Sequence, residues 1–116
     1  MEIFVTIRSK TLIVSLCGEL DHHSAKEVKD MVEEIIKNRG IINLIFDFRK
    51  LTFMDSSGIG VIIGRYKLIS AMGGSVAIVS QNRIIDRLLT MSGVTKLIRT
   101  FPSPEEALTT FQEEIS

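Results

Sequence analysis

The sequence predicts an α/β fold: a mixed, mostly parallel sheet with an N-terminal hairpin and four helices. Three observations predict it. Short apolar segments of strand length alternate with longer segments of helical period, the order expected of strand–helix–strand crossovers. The run from Ile41 to Phe48 is apolar except at Asn43 and Asp47, as in a central strand covered on both faces. The first two strand-like segments are separated by a turn at Ser9 and Lys10, so they pair as a hairpin.

Ile3, Val5 and Ile7 alternate with Phe4, Thr6 and Arg8, which makes the first strand. Thr11 to Cys17 is the second; Gly18 ends it, and Glu19 to His23 follow as a loop. In the first helix, Ala25, Val28, Met31, Val32, Ile35 and Ile36 form one apolar stripe. Ser24 and Glu27 have capping-box spacing, with Asp21 as an alternative cap one turn earlier. Lys37 and Arg39 suit its C-terminus and Gly40 the residue after it. Beyond the central strand, Arg49 to Met54 reads as a connection. Ser56 to Ala71 reads as a helix with Ile59, Ile62, Ile63, Tyr66 and Ile69 on one face, stopped by Gly73 and Gly74. Ser75 to Ser80 is a strand, Arg83 to Ser92 a short helix stopped by Gly93, and Thr95 to Thr100 the last strand. Ser103 as cap, Pro104 at the first helical position and Glu106 closing a capping box open the final helix. Its apolar face is Ala107, Leu108, Phe111 and Ile115. No linker, repeat or low-complexity segment interrupts residues 1–116, which are expected to form one domain.

The 116 residues hold 14 basic and 14 acidic side chains, and 45% are hydrophobic. The area scaling for this length buries about two-thirds of the unfolded surface, enough for a real core. Zero net charge argues against a nucleic-acid binder. Residues 41–100 are mildly cationic and the last sixteen anionic, compatible with an acidic or phosphate-bearing partner. Cys17 is the only cysteine, so no internal disulfide forms, and it is read as a buried, inert thiol. The N-terminus lacks the features of a signal peptide, and no apolar run approaches the ~20 residues of a membrane helix. A cytoplasmic protein without membrane association is expected.

Binding sites in such folds lie at the carboxyl ends of strands, where helices begin. That rule points to Glu19–Ser24 and Leu51–Gly58. The second segment leads into Asp55, Ser56 and Ser57, all residues that favour helix caps, and either Asp55 or Ser56 serves as one. The same geometry offers chemistry. A helix start carries unpaired N–H groups and partial positive charge, and a phosphoryl group on a first-turn serine is partly stabilised there. It adds about −1.5 to −2 charges beside Asp55. Gly58, Gly60 and Gly64 each cost ~1 kcal/mol relative to Ala inside a helix. Close approach to the sheet or to a partner is the expected compensation.

Other chemistries find little support. The glycine spacing is G-x-G-x-x-x-G, not a dinucleotide fingerprint, and no Walker lysine or nucleophile elbow is present. His22 and His23 are adjacent and cannot chelate one metal from a single helix face. A triad of Ser56, His22 and Asp55 has nothing to fix its geometry. No catalytic residue, metal site or cofactor is expected. Arg65 and Lys67 are read as a solvated helix face.

Three segments carry a resemblance: Gly18 to His23, Phe53 to Lys67, and Met91 to Gly93. They resemble the sporulation anti-sigma factor antagonists of endospore-forming bacteria, the phosphorylatable single-domain members of the STAS group. The match spans nearly the whole chain in order. The resemblance implies a STAS-like fold and a partner that is both anti-sigma factor and serine kinase. It implies that the unphosphorylated form binds this partner and releases the sigma factor to direct transcription. The kinase then phosphorylates the first serine of the Asp-Ser-Ser-Gly motif, Ser56, using ATP, and a serine phosphatase restores it. It also implies a partner-binding surface of Asp21, His22, Asp55, Ser56, Ser57, Gly58 and Ile59. Two rival readings stand beside it: a small nucleotide- or ligand-binding domain, and a general stress-response antagonist with a different cognate kinase.

Overall fold

A computed structural model describes residues 1–115, the side chain of Ile115 excepted. The elements run β1 (Glu2–Arg8), β2 (Thr11–Leu20), α1 (His22–Arg39), β3 (Asn43–Met54), α2 (Ser56–Ala71), β4 (Val76–Val79), α3 (Arg83–Met91), α4 (Val94–Leu97), β5 (Arg99–Phe101) and α5 (Pro104–Ile115). The strands form one sheet in the order β1-β2-β3-β4-β5. β1 pairs antiparallel with β2, and the remaining pairs are parallel.

Alternation along the strands builds two cores, because successive side chains point to opposite faces. Leu12, Val14 and Leu16 of β2, Leu44, Phe46 and Phe48 of β3, and Val76 and Ile78 of β4 share one cluster with side chains of α1, α2, α3 and α4. Ile13, Ile45, Ala77 and Val79 point the other way and meet Ala107 and Phe111 of α5. Two-sided burial explains why Ile41 to Phe48 reads as a nearly unbroken apolar run. The two polar residues in that run are both bonded. The Asn43 side chain accepts from Ser75 N at 2.9 Å, and Asp47 takes Arg49 in a fork at 3.0 and 2.8 Å and the Ser15 hydroxyl at 3.2 Å.

Several boundaries differ from the sequence reading, each for a physical reason. Gly18 does not end β2. It adopts φ +114°, which glycine tolerates, and the strand continues to Leu20 through register shifts against β3. Arg49 to Met54 is no connection but the second half of β3. It pairs with β2 alone, since β4 stops at Val79 opposite Asp47, so Arg49, Lys50, Thr52 and Phe53 are exposed while only Leu51 and Met54 are buried, and the apolar period is broken. The segment read as a last strand from Thr95 divides into the one-turn α4 and the three-residue β5, giving five helices among the described residues rather than four. Cys17 is half-buried rather than buried, because α5 leaves that part of the sheet face open beside Phe4, Arg49 and Lys50. Arg65, expected in solvent, is buried. The cap at Ser103 holds, its hydroxyl accepting from Glu106 N at 3.3 Å.

Candidate functional site

The parallel register between β2 and β3 constructs the site. Leu20 is paired with Met54, so the next residues, Asp21 and Asp55, leave the sheet side by side. Each caps the helix that follows. Two helix N-termini therefore point the same way from adjacent strands, and their partial positive charges sum over one small surface.

Asp21 accepts from His23 N at 2.9 Å and Ser24 N at 3.1 Å. Its own N–H donates to the Ser24 hydroxyl at 3.0 Å, which closes the capping box. The box is thus Asp21 with Ser24, not Ser24 with Glu27. The alternative cap is the one used, because β2 runs on to Leu20 and the helix begins at His22. The backbone N–H of Ser24, with smaller contributions from His23 and the Ser24 hydroxyl, holds the Asp21 carboxyl below its usual value. On α2, Asp55 rather than Ser56 is the cap. One carboxylate oxygen accepts from Ser57 N at 2.9 Å and Gly58 N at 3.4 Å; the other accepts from His22 N at 3.2 Å. A reverse brace runs from Asp55 N to the Leu20 carbonyl at 3.3 Å. The two helix starts are cross-linked by hydrogen bonds.

Ser56 occupies the first helical position of α2 and is exposed, with no hydrogen bond to its hydroxyl among the described residues. Asp55 has turned its oxygens to the backbone and leaves that hydroxyl free. Ser57 is half-buried. Ile59 is partly buried and packs against the main core. Gly58 is buried; a Cβ there would lie 2.6 Å from Met54 Cγ and 2.9 Å from Leu20 Cγ. Its missing side chain is used inside the molecule, where α2 crosses the ends of β2 and β3. A Cβ at Gly60 or Gly64 would meet nothing within 4 Å, so close approach to the sheet explains one of the three helical glycines only.

His22 and His23 are exposed, lie edge to face at 5.9 Å between ring centroids, and serve the site through their backbone N–H groups. Beside the serines, a groove between α1 and α2 is lined by Lys26, Lys29, Ser57, Gly60 and Arg65. The Arg65 side chain is 9% exposed and meets Glu33 at 3.0 Å through Nη2, while Nε and Nη1 have no acceptor. Lys26 bonds Asp30 at 2.6 Å and, with added effects of Lys29 and Arg65, holds the Asp30 carboxyl below its usual value. Sequence reasoning missed this groove. Its residues sit on two helices, and only the packing of those helices assembles them.

Residues 2–107 match the model of the STAS domain. A curated relative from Paenibacillus polymyxa, an anti-sigma F factor antagonist, is 45% identical over 98 residues, covering 84% of each chain. The anti-sigma-B factor antagonist of Bacillus subtilis is 25% identical over 85 residues, 73% of this chain and 76% of that one. Among solved structures, the Bacillus cell fate determinant SpoIIAA in its phosphorylated form superposes with a TM-score of 0.75 at 25% identity, over 94% of this chain and 98% of that one. Its unphosphorylated form gives 0.77 at 23%, over 96% and 98%. The chain belongs to the STAS family and, within it, to the anti-sigma factor antagonists. These are regulatory binding proteins rather than enzymes.

Proposed function

We propose that the two cross-braced helix starts are the docking surface for an anti-sigma factor that is also a serine kinase, and that phosphorylation of Ser56 switches docking off. The observation that carries this reading is the Ser56 hydroxyl: exposed, unbonded, and held at a helix start whose cap is already satisfied by Asp55. Such an oxygen reaches a kinase without local unfolding. Asp55, bonded to His22 N, precedes Ser56, Asp21 caps the neighbouring helix, Ser57 and Ile59 follow on α2, and Gly58 keeps α2 seated against the sheet. An added phosphoryl group brings about −1.5 to −2 charges to this surface. It also brings bulk at the centre of the contact. Every ~1.4 kcal/mol of lost interaction is tenfold in affinity, so a modest local repulsion suffices.

In this reading the unphosphorylated chain binds the kinase and releases the sigma factor, and a serine phosphatase acting on the phosphorylated form restores the unphosphorylated one. The chain acts in the cytoplasm as one STAS domain over residues 1–116. Among the described residues, no helix is long and apolar enough to cross a membrane. The sporulation branch is favoured over the stress branch by the greater identity to a sigma F antagonist than to a sigma B antagonist.

Adding the chain to a preformed complex of sigma factor and anti-sigma factor tests the reading. Wild type and Ser56→Ala should displace the sigma factor on size-exclusion chromatography, and Ser56→Asp should displace much less, though its charge is smaller than that of a phosphoryl group. Equal displacement by Ser56→Asp and wild type would show that charge at this oxygen is not the switch.

A further inference from the structure

We propose that the groove between α1 and α2 seats an acidic helical segment of the anti-sigma factor, beside the serine that is phosphorylated. This rests on the docking reading above and names what the partner presents to it. The groove is open where α2 presents Gly60, with Gly64 four residues further along the helix, and a Cβ at either meets nothing within 4 Å. Among the described residues, no close packing at either position compensates the helix propensity these two glycines forfeit. Glycines so spaced lie on one helix face and let a second helix approach closely.

Charge supplies the second, independent argument. Lys26, Lys29 and Arg65 line the groove. Asp30 is engaged by Lys26 and Glu33 by Arg65, while Lys29 has no ion-pair partner among the described residues. Arg65 lies on the floor with two nitrogens buried and lacking any acceptor among the described residues. A buried donor without a partner is costly, and an arriving carboxylate relieves it. A partner carboxylate entering beside Gly60 displaces Glu33 and draws the guanidinium outward, where its remaining N–H groups find acceptors.

Position supplies the link to the switch. The groove begins at Ser57, the residue after Ser56. A phosphoryl group on Ser56 stands at its mouth and cancels the positive field that attracts an acidic segment. The same modification that blocks contact at the helix start thereby repels the neighbouring contact.

The test is calorimetric titration of the purified anti-sigma factor with the full chain at low and high salt, using two variants. Gly60→Leu fills the groove with a better helix former, so its melting temperature should stay level or rise while affinity falls about tenfold or more. Lys29→Glu should lose a similar factor and show a flatter salt dependence than wild type. Wild-type affinity and salt dependence in both variants would overturn the groove as the seat and leave the docking reading intact. Loss with Gly60→Leu alone would mean that the occupant is not acidic. Self-association of wild type that Gly60→Leu abolishes, seen by sedimentation, would make the occupant a second copy and overturn the proposal. Failure of wild type to bind the anti-sigma factor would overturn the docking reading itself.

Discussion

Asp55 takes backbone N–H groups from two helices, so the first consequence of removing it is mechanical. Loss of an N-cap costs about 0.5–2 kcal/mol, and the freed His22 N–H adds to that. Asp55→Ala should therefore destabilise the chain by about 1–2 kcal/mol in urea unfolding and weaken docking by loosening both helix starts. A loss of only a few tenths would show that the brace is idle. Asp47 gives a pH signature elsewhere in the sheet. Burial alone would raise its carboxyl, but the hydrogen bonds and charge of Arg49 and the Ser15 hydroxyl outweigh that and hold it below the usual value. A carboxyl lowered on folding contributes stability that is present above its unfolded pKa of about 3.9 and is lost as pH falls through the folded value. Asp47→Asn should thus lower the urea midpoint at pH 7 and flatten the decline below pH ~4; an unchanged slope would contradict the assignment. At this scale the sequence was partly legible. Ser56 and Asp55 announced themselves by type and position before a helix. Arg65 did not, because a guanidinium beside Tyr66 and Lys67 reads as solvated until α1 packs over it with Glu33.

Within α2 the glycines separate two roles that sequence alone lumps together. A Cβ at Gly58 collides with Met54 and Leu20, and overpacking of that kind costs about 2 kcal/mol, more than the ~1 kcal/mol gained in helix propensity. Gly60 has open space, so Ala there gains the propensity without a collision. Gly58→Ala should lower the melting temperature and Gly60→Ala should raise it; the same sign for both would refute the packing account. The strands show why boundaries were harder to read than elements. The apolar periods of α1 and β3's first half are unambiguous because each has a large partner surface. The second half of β3, the stretch from Gly18 to Leu20, and the division into α4 and β5 depend on which neighbour is beside them. Gly18 reads as a stop, and only the pairing of Leu20 with Met54 shows that it is a passage. That passage decides the site, since it carries Asp21 to the side of Asp55.

Across the whole molecule, two cores on opposite faces of one sheet hold the strand ends that present the proposed switch. The brace between Asp55 and the backbone of Leu20 and His22 is local, and a helix start accommodates a phosphoryl group without repacking the core beneath it. Phosphorylation should consequently leave the fold unchanged. Amide shifts in NMR spectra should move in the first turns of α1 and α2 and along their groove, and stay in place in β4, β5 and α5. Widespread shifts would mean a conformational switch instead. The most direct test of the central claim is intact-mass spectrometry after incubation with the anti-sigma factor kinase and ATP. The account predicts a gain of one phosphoryl group on wild type, mapped to Ser56, and none on Ser56→Ala although that variant still binds the kinase. Phosphate on Ser56→Ala at the wild-type rate, or none on wild type, would contradict it.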